Sequence, residues 1–199
     1  VTLAQHCEFQ QQLSQSTEQA SRFKQMLKEV KQYCEKNYTS MRQLLILHCS
    51  FDKTAKWEDK NITSFLNQFM MHLKKVCVSV KLETTETIVT SKGALDIEAL
   101  FKKIQSVDKV ILINDNTINQ NDSPMLNRLS NLLIAASSQS QSASSKVIAM
   151  LLSGSSDEKF PLFLSKYISI YDWQKTGYVE NLKGLIAKIY DTSQFQLPN

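Results

Sequence analysis

The sequence has little of what breaks or staples a chain. Its 199 residues include only 4 glycines and 3 prolines, which argues against a loop-rich or all-β fold with many tight turns. Cysteine occurs 4 times, at Cys7, Cys34, Cys49 and Cys77, and never as a C-x-x-C pair. That spacing fits reduced thiols in a cytosolic setting better than a disulfide framework. The histidines and cysteines also lack metal-ligand spacing: His72 and Cys77 are five apart, off one helical face. No apolar run is long enough to span a bilayer, so membrane insertion is not expected. Neither G-x-G-x-x-G nor G-x-x-x-x-G-K occurs, so no phosphate-cradling loop is written in the chain. Charge of neither sign dominates. The net +4 is mild, and the lysines are scattered, which is not the footprint of a nucleic-acid binder.

What is present is a set of short apolar runs separated by segments of helical spacing. The clearest run is Lys109–Asn114, KVILIN, which ends in the polar residues Asp115 and Asn116. A run this short and rich in β-branched residues reads as a strand buried on both faces. Four similar runs flank it, at Leu44–Leu47, Val76–Val80, Val147–Leu152 and Tyr167–Ile170. Between them, Phe65, Phe69 and Leu73, then Leu100 and Ile104, then Leu129, Leu132 and Leu133, recur at helical spacing. Ser123 and Pro124 are a good helix start, a capping hydroxyl followed by a proline at the first helical position. Val179, Leu182, Leu185, Ile186 and Ile189 mark a last helix.

The expected fold is therefore α/β: a five-stranded parallel sheet in the flavodoxin-like order 2-1-3-4-5, with helices on both faces. Ligands of such sheets bind at the crevice where the strand order switches, between the first and third strands. Ser50, Asp52, Lys92 and Asp115 are the candidate residues for that crevice.

Residues 1–43 read differently. No glycine or proline interrupts Leu3–Gln43, and a seam runs through His6, Phe9, Leu13, Ser16, Ala20, Phe23, Leu27, Val30 and Cys34. Steps of three and four give the stripe of a packing helix, roughly 60 Å long at 1.5 Å per residue. Two outcomes stay open: a coiled coil that makes a homodimer, or a helix that folds back on its own domain. The expected organisation is a helix over 1–43, an α/β domain over 44–192 and a tail over 193–199. The first residue is Val1 rather than Met, which suggests a piece of something longer.

Several pieces together resemble the Toll/interleukin-1 receptor (TIR) domains, especially the divergent bacterial kind. LLILHC-SFDK is similar to that family's opening strand and S-x-D turn. The polar stretch ending in Lys92-Gly93 is similar to its BB loop. IQSVDKVILIN is similar to its helix end and third strand, and KYISIYDW to its closing strand. The resemblance implies either a scaffold that assembles with related domains or an enzyme that cleaves NAD. The family's enzymes use a glutamate in the helix after the third strand, a few residues beyond a Trp. Here Met125 stands near the Trp position and Arg128 or Leu129 near the glutamate, with no acidic residue from Pro124 to Ser145. The expectation is a non-catalytic, self-associating signalling scaffold without a cofactor, NAD being the alternative. It would act in the cytoplasm, or in a host cytosol if the chain is a secreted bacterial effector. Its partner would be another TIR-like protein, met through Glu83, Glu86, Lys92 and Gly93 of the loop and through Ser123 and Arg128.

The residues offer two rival chemistries. Asp115, Ser153 and Lys175 follow the third, fourth and fifth runs, as the key groups of receiver domains do. The acidic pair that holds Mg²⁺ after the first strand is replaced by His48, Cys49 and Ser50. His48 and Cys49, adjacent on a strand, point to opposite faces and cannot act as base and nucleophile.

Overall fold

The structure is a computed structural model that describes residues 17–48, 60–84, 96–114, 131–135, 146–151, 168–172 and 177–192. In chain order the elements are α1 (Thr17–Asn37), β1 (Arg42–His48), α2 (Lys60–Val76), β2 (Val80–Thr84), α3 (Ile97–Ser106), β3 (Lys109–Asn114), β4 (Val147–Leu151), β5 (Ile168–Asp172) and α4 (Tyr178–Ile189). Residues 131–135 are also helical. The chain divides into two compact units. One holds Val1–Met41, Trp57–Lys81 and Trp173–Asn199; the other holds Arg42–Lys56 and Leu82–Asp172.

The second unit is an α/β sheet. Four strands pair in parallel: β1 with β3, β3 with β4, and β4 with β5. β2 stands outside β1 in the strand order. Parallel strands covered on both sides should lack in/out alternation, and these do. Leu45, Leu47, Val110, Leu112, Val147 and Ala149 bury one face against Leu100, Ile104, Val107 and Leu133. The alternate set, Leu44, Ile46, Ile111, Ile113, Ile148 and Met150, is buried as well. A fully buried Leu or Ile contributes roughly 1.5–3 kcal/mol, so this hydrocarbon layer is the unit's main source of stability. α3 starts where Asp96 accepts a hydrogen bond from Ala99 N–H at 3.0 Å, an ordinary N-cap. At the start of the β1–β3 pairing, Gln43 of β1 and Asp108 exchange two bonds: Gln43 N–H donates to Asp108 Oδ2 at 2.7 Å, and Asp108 N–H to Gln43 O at 2.8 Å.

The first unit is helical. α1 packs on α2 and α4. Its buried stripe is Leu27, Val30 and Cys34, the second half of the seam read from the sequence. For these residues the fold-back outcome holds within the chain. α2 contributes Phe65, Phe69, Leu73 and Val76, and α4 contributes Leu182, Leu185, Ile186 and Ile189. No helix among the described residues is long and apolar enough to cross a membrane.

Several boundaries differ from the sequence expectation: β1 runs Arg42–His48 rather than Leu44–Leu47, and β4 ends at Leu151 rather than Leu152. The second strand is not Val76–Val80. The helical stripe of α2 continues through Val76, Cys77–Ser79 form a turn, and β2 begins only at Val80. Val78, at 62% exposed, is incompatible with a strand buried on both faces. The first helix ends at Asn37 rather than near Gln43, with the Asn37 amide folded back onto the Tyr33 carbonyl at 2.9 Å. The fifth strand is displaced by one to two residues, to Ile168–Asp172.

Candidate functional site

Two places carry chemistry, one in each unit. In the sheet unit it is the carboxyl edge of the strands. In the order β2-β1-β3 the chain leaves β1 toward one side and later enters β3 on the other. The switch therefore falls between β1 and β3, the place where open α/β sheets hold ligands. There His48 is in register with Ile113, and Asn114 with Leu151.

Of the residues expected at this edge or on the neighbouring loop, Ser50, Asp52, Glu86, Lys92, Gly93, Asp115, Ser123 and Arg128 lie outside the described residues, as do Ser153 and Lys175. Glu83 is described, and its position corrects the expected loop boundary. It belongs to β2, so the loop starts after Thr84. Its carboxylate forms an ion pair with Lys103 of α3.

At the opposite edge, Lys109 is buried to 3% exposure at the mouth of β3. Lys146 donates from Nζ to the Gln105 carbonyl at 3.0 Å. Burial lowers the Lys146 pKa, opposed by the Asp108 carboxylate.

The second place is in the helical unit, and sequence reasoning missed it. Where α1 ends, the α2–β2 turn and the end of α4 bring a thiol and four hydroxyls into one hub, buried except at Thr192. Ser79 Oγ donates to the Tyr38 carbonyl at 2.6 Å, which uses its single proton. Its oxygen must then accept from the Tyr190 hydroxyl, also at 2.6 Å. Tyr190 has a longer alternative acceptor in the Ser40 carbonyl, at 3.2 Å. Cys77 Sγ lies 3.6 Å from the Tyr190 hydroxyl and 3.7 Å from Ser79 Oγ. The rings of Tyr38 and Tyr190 stack with centroids 4.5 Å apart, and the Tyr38 hydroxyl meets Thr192 Oγ1 at 3.0 Å. Burial pushes the Tyr190 hydroxyl up and Tyr38 up as well. Both phenols therefore stay protonated and serve as neutral hydrogen-bonding groups.

The neighbouring Cys77 thiol first, then burial, raises the Cys34 pKa. The Cys34 thiol, with further help from Tyr190 and Ser79, lowers that of Cys77 against the effect of burial. Both cysteines are free, as expected from their spacing. Cys34 was legible as a seam position. Nothing in the sequence pairs it with Cys77, because the residues that join them are spread from Tyr38 to Thr192.

At the start of α4, His72 Nδ1 shares a 2.7 Å hydrogen bond with the Tyr178 hydroxyl. Phe23 meets the imidazole edge-on, with centroids 5.4 Å apart. Burial first, then the charge of Lys75, lowers the His72 pKa, so this imidazole is neutral at pH 7. A hollow of about 320 Å³ adjoins these rings, lined by Arg22, Phe23, Met26, Tyr178, Val179 and Glu180 among others. Among the described residues no cluster of His, Cys, Asp and Glu could hold a metal ion.

No family model matches the chain, and neither a curated protein nor a solved structure does so.

Proposed function

We propose that this chain is a TIR-like protein–protein interaction domain that works as a signalling scaffold rather than as an enzyme. The observation that carries the reading is the Lys109–Asn114 strand, parallel to β1 and β4 and buried from Lys109 to Ile113, at the end of the IQSVDKVILIN stretch that resembles the family. On this reading β2 completes a five-stranded parallel sheet of flavodoxin-like order. Residues 44–192 are the interaction domain, 1–43 a helical segment and 193–199 a tail. The partner is a second TIR-like domain in the cytoplasm, engaged through the loop ending at Lys92 and Gly93 and through the start of the Ser123 helix. Homodimer formation through α1 draws on its outer face, since Leu27, Val30 and Cys34 are buried within the chain.

A second reading is a nucleotide-binding or NAD-cleaving enzyme that uses Ser50, Asp52, Lys92 and Asp115. It is favoured by the switch between β1 and β3, which open α/β sheets use for ligands. A phosphoacceptor role for Asp115, of the receiver kind, is a variant of that reading.

One pair of measurements separates the readings. The full chain is incubated with NAD and assayed for released nicotinamide, and its sedimentation is followed over a concentration series. The scaffold reading expects no release and a mass that grows with concentration. Sustained nicotinamide release overturns it in favour of the enzyme, and a monomer at every concentration removes self-association.

A further inference from the structure

The hollow at the start of α4 is the feature that the scaffold reading leaves unused. It lies within the helical unit, lined by the first turns of α1 and of α4, and its volume is about 320 Å³. That is the low end of the range for small-molecule sites, which are mostly apolar with a few placed polar groups. Phe23, Met26, Tyr178 and Val179 make the apolar walls. A third helix braces them. His72 of α2 holds the Tyr178 hydroxyl at 2.7 Å, and the Phe23 ring centroid is 5.4 Å from the imidazole and 5.9 Å from the Tyr178 ring. Further along α1, Leu27, Val30 and Cys34 are buried, but Phe23 and Met26 are only half-buried. Covering that remaining apolar surface is favourable for any ligand with an apolar body.

The charged groups narrow the ligand further. Arg22 of α1 and Glu180 of α4 line the same hollow, yet no ion pair joins them among the described residues. Glu180 Oε1 accepts from Lys183 Nζ at 2.7 Å, which leaves Oε2 for another donor. An anionic ligand would meet the Glu180 carboxylate, and a cationic one the Arg22 guanidinium. An uncharged ligand would draw both charges out of water and answer neither. A zwitterion answers both, with a carboxylate for the guanidinium fork and an ammonium for the carboxylate. We propose that this hollow binds a free α-amino acid with a large apolar side chain, its carboxylate on Arg22, its ammonium on Glu180 and its side chain against Phe23, Met26, Tyr178 and Val179.

The surroundings suit such a ligand. Gly177 also lines the hollow, and a Cβ there would meet nothing within 4 Å, so the space beside it is open for entry. The two head groups are read from different helices, so both must be present on one residue. An internal residue of a peptide has neither, which confines the site to free amino acids. Binding ties α1 to α4 and favours the folded state, so the helical unit should melt later as the ligand concentration rises.

The test is a titration of the full chain followed by its amide NMR shifts. The probes are L-phenylalanine, L-phenylalaninamide, N-acetyl-L-phenylalanine and glycine. Phenylalanine should bind with a dissociation constant on the order of 1 mM, as suits so small a ligand. The shifts should centre on the amides of Gln19 to Met26 and Tyr178 to Glu180. Blocking either head group should weaken binding about five- to tenfold, and glycine, without a side chain, should shift nothing. Arg22→Met should weaken phenylalanine by the same factor and leave phenylalaninamide unchanged. Glu180→Gln should weaken phenylalanine and leave N-acetylphenylalanine unchanged. Both side chains are exposed, so the variants keep the fold. No shift at ten times the expected constant overturns the proposal, as do shifts centred elsewhere. Equal affinity for the three aromatic probes overturns it too, and so does a variant that weakens all three alike.

Discussion

The two units solve the same packing problem with different materials. Among the described residues the sheet unit is closed mainly by hydrocarbon: Leu45, Leu47, Leu100, Ile104, Leu112, Val147 and their neighbours form one apolar layer, and Lys109 is the buried charged residue beside it. The helical unit surrounds a comparable apolar stripe with polar groups at one end, where Tyr38, Ser79, Cys77, Tyr190 and Thr192 meet. A hydrocarbon layer is tolerant of sliding, since any well-filled arrangement serves. A hydrogen-bonded hub is not, since each proton has a particular acceptor and an orphan is costly. The sheet should therefore carry most of the stability, and the hub should fix how the three helices and the α2–β2 turn are held.

The largest effect should come from the sheet. Leu112→Ala removes a side chain that is 1% exposed at the centre of the layer. Urea unfolding should show a loss of about 2–5 kcal/mol, the usual cost of a cavity that cannot collapse. A loss below that range would mean that the layer is less tightly packed than its burial indicates.

The hub should respond next. Ser79→Ala leaves the Tyr38 carbonyl and the Tyr190 hydroxyl without their shortest partner. The same assay should show about 1–3 kcal/mol lost. Hydrogen exchange should show the added opening at the α1 end and the α2–β2 turn rather than in β3. Uniform exchange over both units would erase the contrast between them.

The smallest effect is a pH dependence confined to the helical unit. The folded His72 pKa lies below its ordinary 6.5, so the unfolded chain binds the proton more readily. Stability is then complete above pH 6.5 and declines as pH falls from there through the folded value. The decline should be monitored on α2 amides, and His72→Gln should remove it. A slope of the opposite sign would mean that the imidazole gains a negative partner on folding.

How much was readable in the sequence follows the same division. Lys109–Asn114 was delimited to the residue, because an apolar run bounded by Asp108 and Asp115 has one interpretation. Val76–Val80 reads as a strand because Val76, Cys77 and Val80 are as apolar as one. Only the spacing of Phe69, Leu73 and Val76 shows that the helix runs on. The hub was invisible because its members are common residues of ordinary type, and only tertiary packing joins Tyr38 to Ser79 and Tyr190. Glu83 reads as a loop residue because polar residues surround it; in the fold its carboxylate is held by Lys103 on α3.

The paired bonds between Gln43 and Asp108 have a consequence for how the sheet finds its alignment. A strand that alternates inside and outside announces its own offset, since a slip of one residue would send every apolar group to water. β1 and β3 carry no such signal: Leu44–Leu47 and Val110–Ile113 are buried residue after residue. A shifted pairing would look nearly as good to the hydrophobic effect as the native one. The information must come from somewhere other than greasiness, and the Asp108 carboxylate and amide, gripping both backbone groups of Gln43, supply it. A single aspartate at the threshold thus acts as an alignment mark for an otherwise unpunctuated pair of strands.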